Sequence, residues 1–234
     1  MSESINQKRL YLSGGGDENT SFAFDKFFFE SLPKNGRFLY IPIALQGHEL
    51  YKNVDSWMKG VVDLHKRSDL YLEIWKDFSN NKSFNLDDFD GIYIGGGNTW
   101  TLMDELKNYS FDVLLSQYIN KGGIVYGGSA GAIIFGKKIN TQNDENVVNL
   151  KDYAGLSIIG DWSLVCHFNK NESDKLKKWS QDNELPIICL PEGSGIIVES
   201  EEKKCIGTQG CFVVKPNGEF FKVDSGEFIT FNIE

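Results

Sequence analysis

A chain of 234 residues that is 41% hydrophobic can fill one sizeable core, and we read residues 1–234 as a single α/β domain. Its formal net charge of -9 works against a nucleic-acid partner, which would need clustered Lys and Arg to displace counterions. No apolar run approaches the roughly 20 residues that cross a bilayer, and the polar opening "MSESINQ" lacks the apolar core of a secretory signal, so the expectation is a soluble, cytoplasmic protein with no membrane association.

Runs rich in β-branched and aromatic residues predict strands at 9–12 (RLYL), 38–43 (FLYIPI), 70–75 (LYLEIW), 91–96 (GIYIGG) and 123–128 (GIVYGG). Between them, 48–64 carries an amphipathic helical pattern, and 99–122 reads as two helices joined near Asn108 to Ser110. Strands alternating with helices predict a mainly parallel sheet flanked by helices on both faces. In "CFVVKPNGEFFKVDSGEFITFNIE", short β runs separated by Pro-Asn-Gly and Ser-Gly turns predict C-terminal antiparallel strands. No repeat or low-complexity tract marks a second domain.

The pentapeptide "GGSAG" at 127–131 fits G-x-S-x-G, the pattern of a strand that turns sharply into a helix with serine at the strained tip. A serine hydroxyl needs a base to take its proton, and three histidines are available. His65 lies among charged residues at a predicted helix end and reads as solvated; His48 follows a glycine near a helix start and reads as a local cap or a loop contact. His167, in "SLVCHFN", ends an apolar strand-like run at the predicted sheet edge and is the best base.

A carboxylate should fix the imidazole tautomer. "NTQNDEN" supplies Asp144 and Glu145 between serine and histidine, and Glu192 in "LPEGSG" competes from another predicted strand end. A second oxyanion donor beside Ala130 could come from Gly95, Gly96 or Gly97 in "IGGGNTW", a loop expected at the same sheet edge as Ser129. That glycine run and "SGGGD" at 13–17 could instead cradle phosphate, but neither completes a nucleotide-binding pattern. The four cysteines form no CxxC pair and no metal-like set with the histidines, and all are expected to be reduced packing residues.

The ordered set "GGGNT", "GGSAGA", "TQND", "HFN" and "PEGS", over about residues 91–195, resembles the aspartyl dipeptidase (peptidase E) family of serine peptidases, a family that includes the cyanophycinases. The resemblance implies a flavodoxin-like, class I glutamine amidotransferase-like fold, with Ser129 as nucleophile, His167 as base, Asp144 as orienting acid, and Gly97 and Ala130 as oxyanion donors. Asn98, Lys175 and Glu192 are the candidates for substrate contacts. Members specific for N-terminal aspartate carry arginines in the helix after the histidine, whereas "NESDKLKKWSQ" offers Lys175, Lys177 and Lys178, which lack the two-pronged donor geometry of arginine.

The expected activity is therefore that of a serine-type, dipeptidase-like exopeptidase cleaving small peptides through an acyl-enzyme, with no cofactor and no metal. Amide transfer from glutamine would use cysteine at the elbow, where this chain has Ser129. A degenerate, non-catalytic relative that binds a small ligand or partner is the alternative. Nothing in the chain selects an oligomeric state, a homodimer being one option.

Overall fold

The computed structural model describes residues 8–79 and 85–230. The polar opening at 1–7 and the end of the last β run, at 231–234, lie outside the described residues. The elements follow in chain order: β1 (Arg9–Ser13), α1 (Phe22–Ser31), β2 (Arg37–Ile41), α2 (Val54–Leu64), β3 (Tyr71–Ile74), β4 (Gly91–Ile94), α3 (Thr99–Asn108), α4 (Phe111–Asn120), β5 (Ile124–Gly128), α5 (Ala130–Ile133), β6 (Ser163–Val165), α6 (Ser173–Asn183), β7 (Ile187–Cys189), β8 (Ser194–Glu199), β9 (Glu202–Gly207), β10 (Cys211–Val214) and β11 (Phe220–Val223).

Seven strands form the large sheet in the order β3-β2-β4-β5-β1-β8-β9. The first five are parallel, as the alternation of strands and helices predicts; β8 and β9 extend the sheet as an antiparallel hairpin. Successive side chains point to opposite faces, and the two faces differ. Leu10, Leu12, Ile92, Ile94 and Val125 pack with α3 and α4 residues such as Leu102 and Leu115. Tyr11, Phe38, Tyr40, Tyr93 and Tyr126 meet α1 and α2 through Phe24, Phe28, Val54 and Met58, giving an aromatic face.

A second sheet, in the order β11-β10-β7-β6, was not foreseen as a separate unit. Its β6 and β7 are parallel, while β10 pairs antiparallel with both β7 and β11, so the expected C-terminal antiparallel strands are present. One expectation about cysteine needs correction. Cys166 and Cys189 are free and buried, but Cys205 of β9 and Cys211 of β10 form a disulfide, with Cα atoms 6.0 Å apart, that ties the two sheets together.

Two histidines are settled by the fold. His48 caps the short helical turn Glu49–Asn53 by accepting from the Leu50 N–H. His65 does end α2, but it is stacked between Phe22 and Phe29 rather than solvated, and burial pushes its pKa down to about 4. Among the described residues, no helix is long and apolar enough to cross a membrane.

Parallel register determines where chemistry can occur. Leu12 and Ile94 both lie beside Gly127, and Ser13 beside Gly128, so β1, β4 and β5 end together. The loops that follow them, at 14–17, 95–97 and Ser129, converge on one sheet edge, where ligands bind in open α/β sheets.

Candidate active site

Ser129 follows β5 directly and opens α5 with φ 51° and ψ -114°, a conformation that an L residue adopts only under strain. Its N–H donates to the Ser13 carbonyl at 3.1 Å, which anchors the tip to β1. Two glycines make the turn possible: a side chain on Gly127 would run into the Gly131 carbonyl, and one on Gly131 into the Ile94 carbonyl. The G-x-S-x-G spacing is thus a requirement for close approach of strand, serine and helix.

His167 lies just beyond β6, also at positive φ (51°), with its N–H donating to the Gly14 carbonyl at 2.9 Å. Its Nε2 is 2.8 Å from Ser129 Oγ. On the other side of the ring, Nδ1 is 2.8 Å from Oε1 of Glu192, a residue in the loop between β7 and β8. The "SGGGD" run considered above for phosphate lies here: Gly15 packs so closely on the imidazole that a Cβ would meet the ring. Sequence reasoning missed this role, whose only signal was three glycines after a predicted strand.

Asp144, which the resemblance implies as the orienting acid with Glu192 as its competitor, makes its bonds away from His167. Oδ2 of Asp144 accepts from the Thr99 N–H at 3.1 Å and the Thr99 hydroxyl at 2.7 Å, and its backbone carbonyl accepts from Trp100 Nε1 at 3.0 Å. Asp144 therefore satisfies otherwise orphaned groups at the start of α3 and latches the loop from the elbow onto that helix. Asn98 is occupied in the same latch: Oδ1 accepts from the Thr101 N–H at 2.9 Å, and Nδ2 donates to the Glu145 carbonyl at 2.8 Å. Lys175, on α6, donates to Asn143 Oδ1.

The glycine loop after β4 faces the serine. A Cβ on Gly96 would lie 3.1 Å from Ser129 Cβ, and Gly97 adopts φ 137° where a Cβ would run into the Ala44 carbonyl. Cys166, next to His167 in sequence, turns the other way, with Sγ against the carbonyls of Ser13 and Ser129; burial raises the pKa of its thiol strongly and leaves it inert. A cavity of about 680 Å³ opens at Ser129 and His167 and extends along the aromatic face of the sheet toward α2. Neither Asn98 nor Lys175 lines it. No group of His, Cys, Asp and Glu suited to a metal ion occurs among the described residues.

Residues 10–206 match peptidase family S51. A peptidase E from Shewanella oneidensis is 29% identical over 137 residues, which cover 55% of this chain but only 58% of that protein. One from Streptomyces coelicolor is 24% identical over 213 residues, covering 86% of this chain and 80% of that protein. Among solved structures, a putative peptidase E from Listeria monocytogenes superposes with a TM-score of 0.65 at 25% identity, covering 86% of this chain and 99% of that one. A peptidase from an acI-B1 actinobacterium reaches a TM-score of 0.75 at 20% identity, covering 99% and 100%, a likeness of fold.

Proposed function

The chain belongs to peptidase family S51, and from that premise we propose that it is a serine-type exopeptidase that hydrolyses small peptides through a Ser129–His167–Glu192 relay. The observation that carries this reading is the continuous pair of 2.8 Å contacts from serine to imidazole to carboxylate.

Ser129 Oγ attacks the scissile carbonyl while Nε2 of His167 takes its proton. Glu192 accepts from Nδ1–H, which holds the tautomer that leaves Nε2 free to act as base, and it stabilises the imidazolium that forms. The backbone N–H groups of Ala130 and Gly97 receive the developing oxyanion. His167 then returns the proton to the leaving amine, and an ester of Ser129 remains. Water, deprotonated by the same imidazole, releases the acid and restores the serine. The side chains of His167 and Glu192 are 44% and 52% exposed, which supports access for both substrate and water.

The reading is tested with a serine-reactive phosphonate and matched amide and ester substrates. The wild-type protein should be labelled at Ser129 and cleave the amide, and Ser129→Ala should lose labelling with a fall in turnover of ~10⁴ or more. Retention of more than about a tenth of wild-type turnover by Ser129→Ala would remove the serine from the mechanism.

A further inference from the structure

We propose that the cavity beside Ser129 receives a bulky apolar or aromatic first side chain of a peptide with a free amino terminus, and that Glu18 meets the α-ammonium. The proposal rests on the serine peptidase reading and names the substrate class that this reading leaves open.

Three observations converge on it. First, the cavity is continuous with the reacting atoms, since Gly96, Gly97, Ser129 and His167 all line it. A side chain lodged there belongs to the residue whose carbonyl lies at Ser129. Second, the wall is apolar: Leu45, Leu50, Val54 and Trp57 line it together with the rings of Tyr40 and Tyr93. Leu50 and Trp57 remain 55% and 37% exposed, apolar surface that a ligand would cover.

Third, the charge is of one sign. Among the described residues that line the cavity there is no Lys or Arg, while Asp17 and Glu18 are both present. Oδ1 of Asp17 is engaged by the N–H groups of Thr20 and Asn19. Glu18 is held against the wall by Trp57 Nε1, which donates to its Oε2 at 3.3 Å. A carboxylate has about four acceptor sites, so this single bond leaves Glu18 the capacity to accept from an ammonium.

An acidic first side chain would lose its water in an apolar space beside two carboxylates with no cation to compensate. A C-terminal carboxylate in the cavity would meet the same opposition. A large uncharged side chain meets neither, and the free amino terminus of an exopeptidase substrate supplies the positive charge that the acidic rim lacks.

The test has a catalytic arm and a binding arm. Values of kcat/KM are measured for Phe-Ala, Leu-Ala, Ala-Ala, Asp-Ala and N-acetyl-Phe-Ala on the wild-type protein and on Glu18→Gln, with phosphonate labelling of Ser129 as the check on an intact site. Phe-Ala and Leu-Ala should exceed Ala-Ala by ~100-fold and Asp-Ala by more, since a few buried methylenes carry discrimination of that order. Acetylation and Glu18→Gln should each cost Phe-Ala at least about tenfold, leaving the Phe over Ala ranking in place. Calorimetric titration of Ser129→Ala with the same dipeptides should reproduce the ranking without turnover. A preference for Asp-Ala, equal values across the series, or no dipeptide binding to Ser129→Ala at millimolar concentration overturns the proposal. Failure of the peptidase reading looks different: Ser129→Ala would keep its turnover while the binding ranking stood.

Discussion

Glu192 Oε1 and His167 Nδ1 stand 2.8 Å apart, on the side of the imidazole ring opposite Ser129. Asp144, the acid that the family resemblance implies, accepts from Thr99 instead. Glu192→Gln removes the charge that stabilises the imidazolium and can present its amide in the wrong sense to Nδ1. A loss in kcat of ~10²–10⁴ is expected, in the range of tautomer-fixing acids elsewhere. Asp144→Asn should leave kcat within a few-fold and lower stability by about 1 kcal/mol through a weakened helix start. Turnover and urea midpoints of the two variants decide it, and the opposite ranking in kcat would return the orienting role to Asp144.

A second prediction concerns Asp25, buried under the aromatic face, where it accepts from the Ser21 hydroxyl at 2.6 Å and the Tyr126 hydroxyl at 2.5 Å. Burial raises its pKa to about 6, against the lowering effect of those two donors. Between the unfolded value near 3.8 and about 6, the folded chain holds a proton that the unfolded chain has released. This contribution is fully present below the unfolded value and is lost as pH rises through 6. His65 acts in the opposite sense: its pKa near 4 lies below the unfolded 6.5, so its contribution is present above 6.5 and lost as pH falls through 4. The two partly offset each other in the wild-type protein, and Asp25→Asn should unmask the histidine. From pH 4 to 7.5 the variant should gain on the order of 3 kcal/mol relative to wild type in urea unfolding. A stability difference that is the same at both pH values would show that Asp25 is not titrating in this window.

The legible parts of this molecule are the local ones. Apolar and aromatic runs in "RLYL", "GIYI" and "GIVYGG" mark buried strands, and the glycines around Ser129 are dictated by a turn contained in five residues. The parts that local patterns do not carry depend on how strands pair and sheets pack. Glu192 reaches His167 only because β7 lies beside β6 in a parallel pair, and the smaller sheet exists only because β10 returns to β7. Cys205 and Cys211 are six residues apart, but they sit on strands of different sheets, so their pairing follows from how the chain passes from one sheet to the other. His65 looked solvated because its charged neighbours in sequence conceal the two phenylalanines of α1 that enclose it.

The glycine run after β1 provides a final prediction, because there the backbone acts directly on the catalytic base. Gly15 has φ 93°, and a Cβ added to it would come within 2.9 Å of His167 Nε2 and closer still to the adjacent ring carbon. Gly47, with φ 81°, has nothing within 4 Å of its missing Cβ. Alanine at either position incurs the cost of a left-handed backbone, ~1 kcal/mol or somewhat more, so the two variants should lose similar Tm. Only Gly15→Ala also pushes the imidazole from its place between Ser129 and Glu192. Displacement of a reacting group by about 1 Å can cost ~10² in rate. Gly15→Ala should therefore lose about that much kcat with little change in dipeptide affinity, while Gly47→Ala stays within about twofold of wild type. If Gly15→Ala kept a third or more of wild-type kcat at the same loss of Tm, the imidazole would not depend on this glycine for its position.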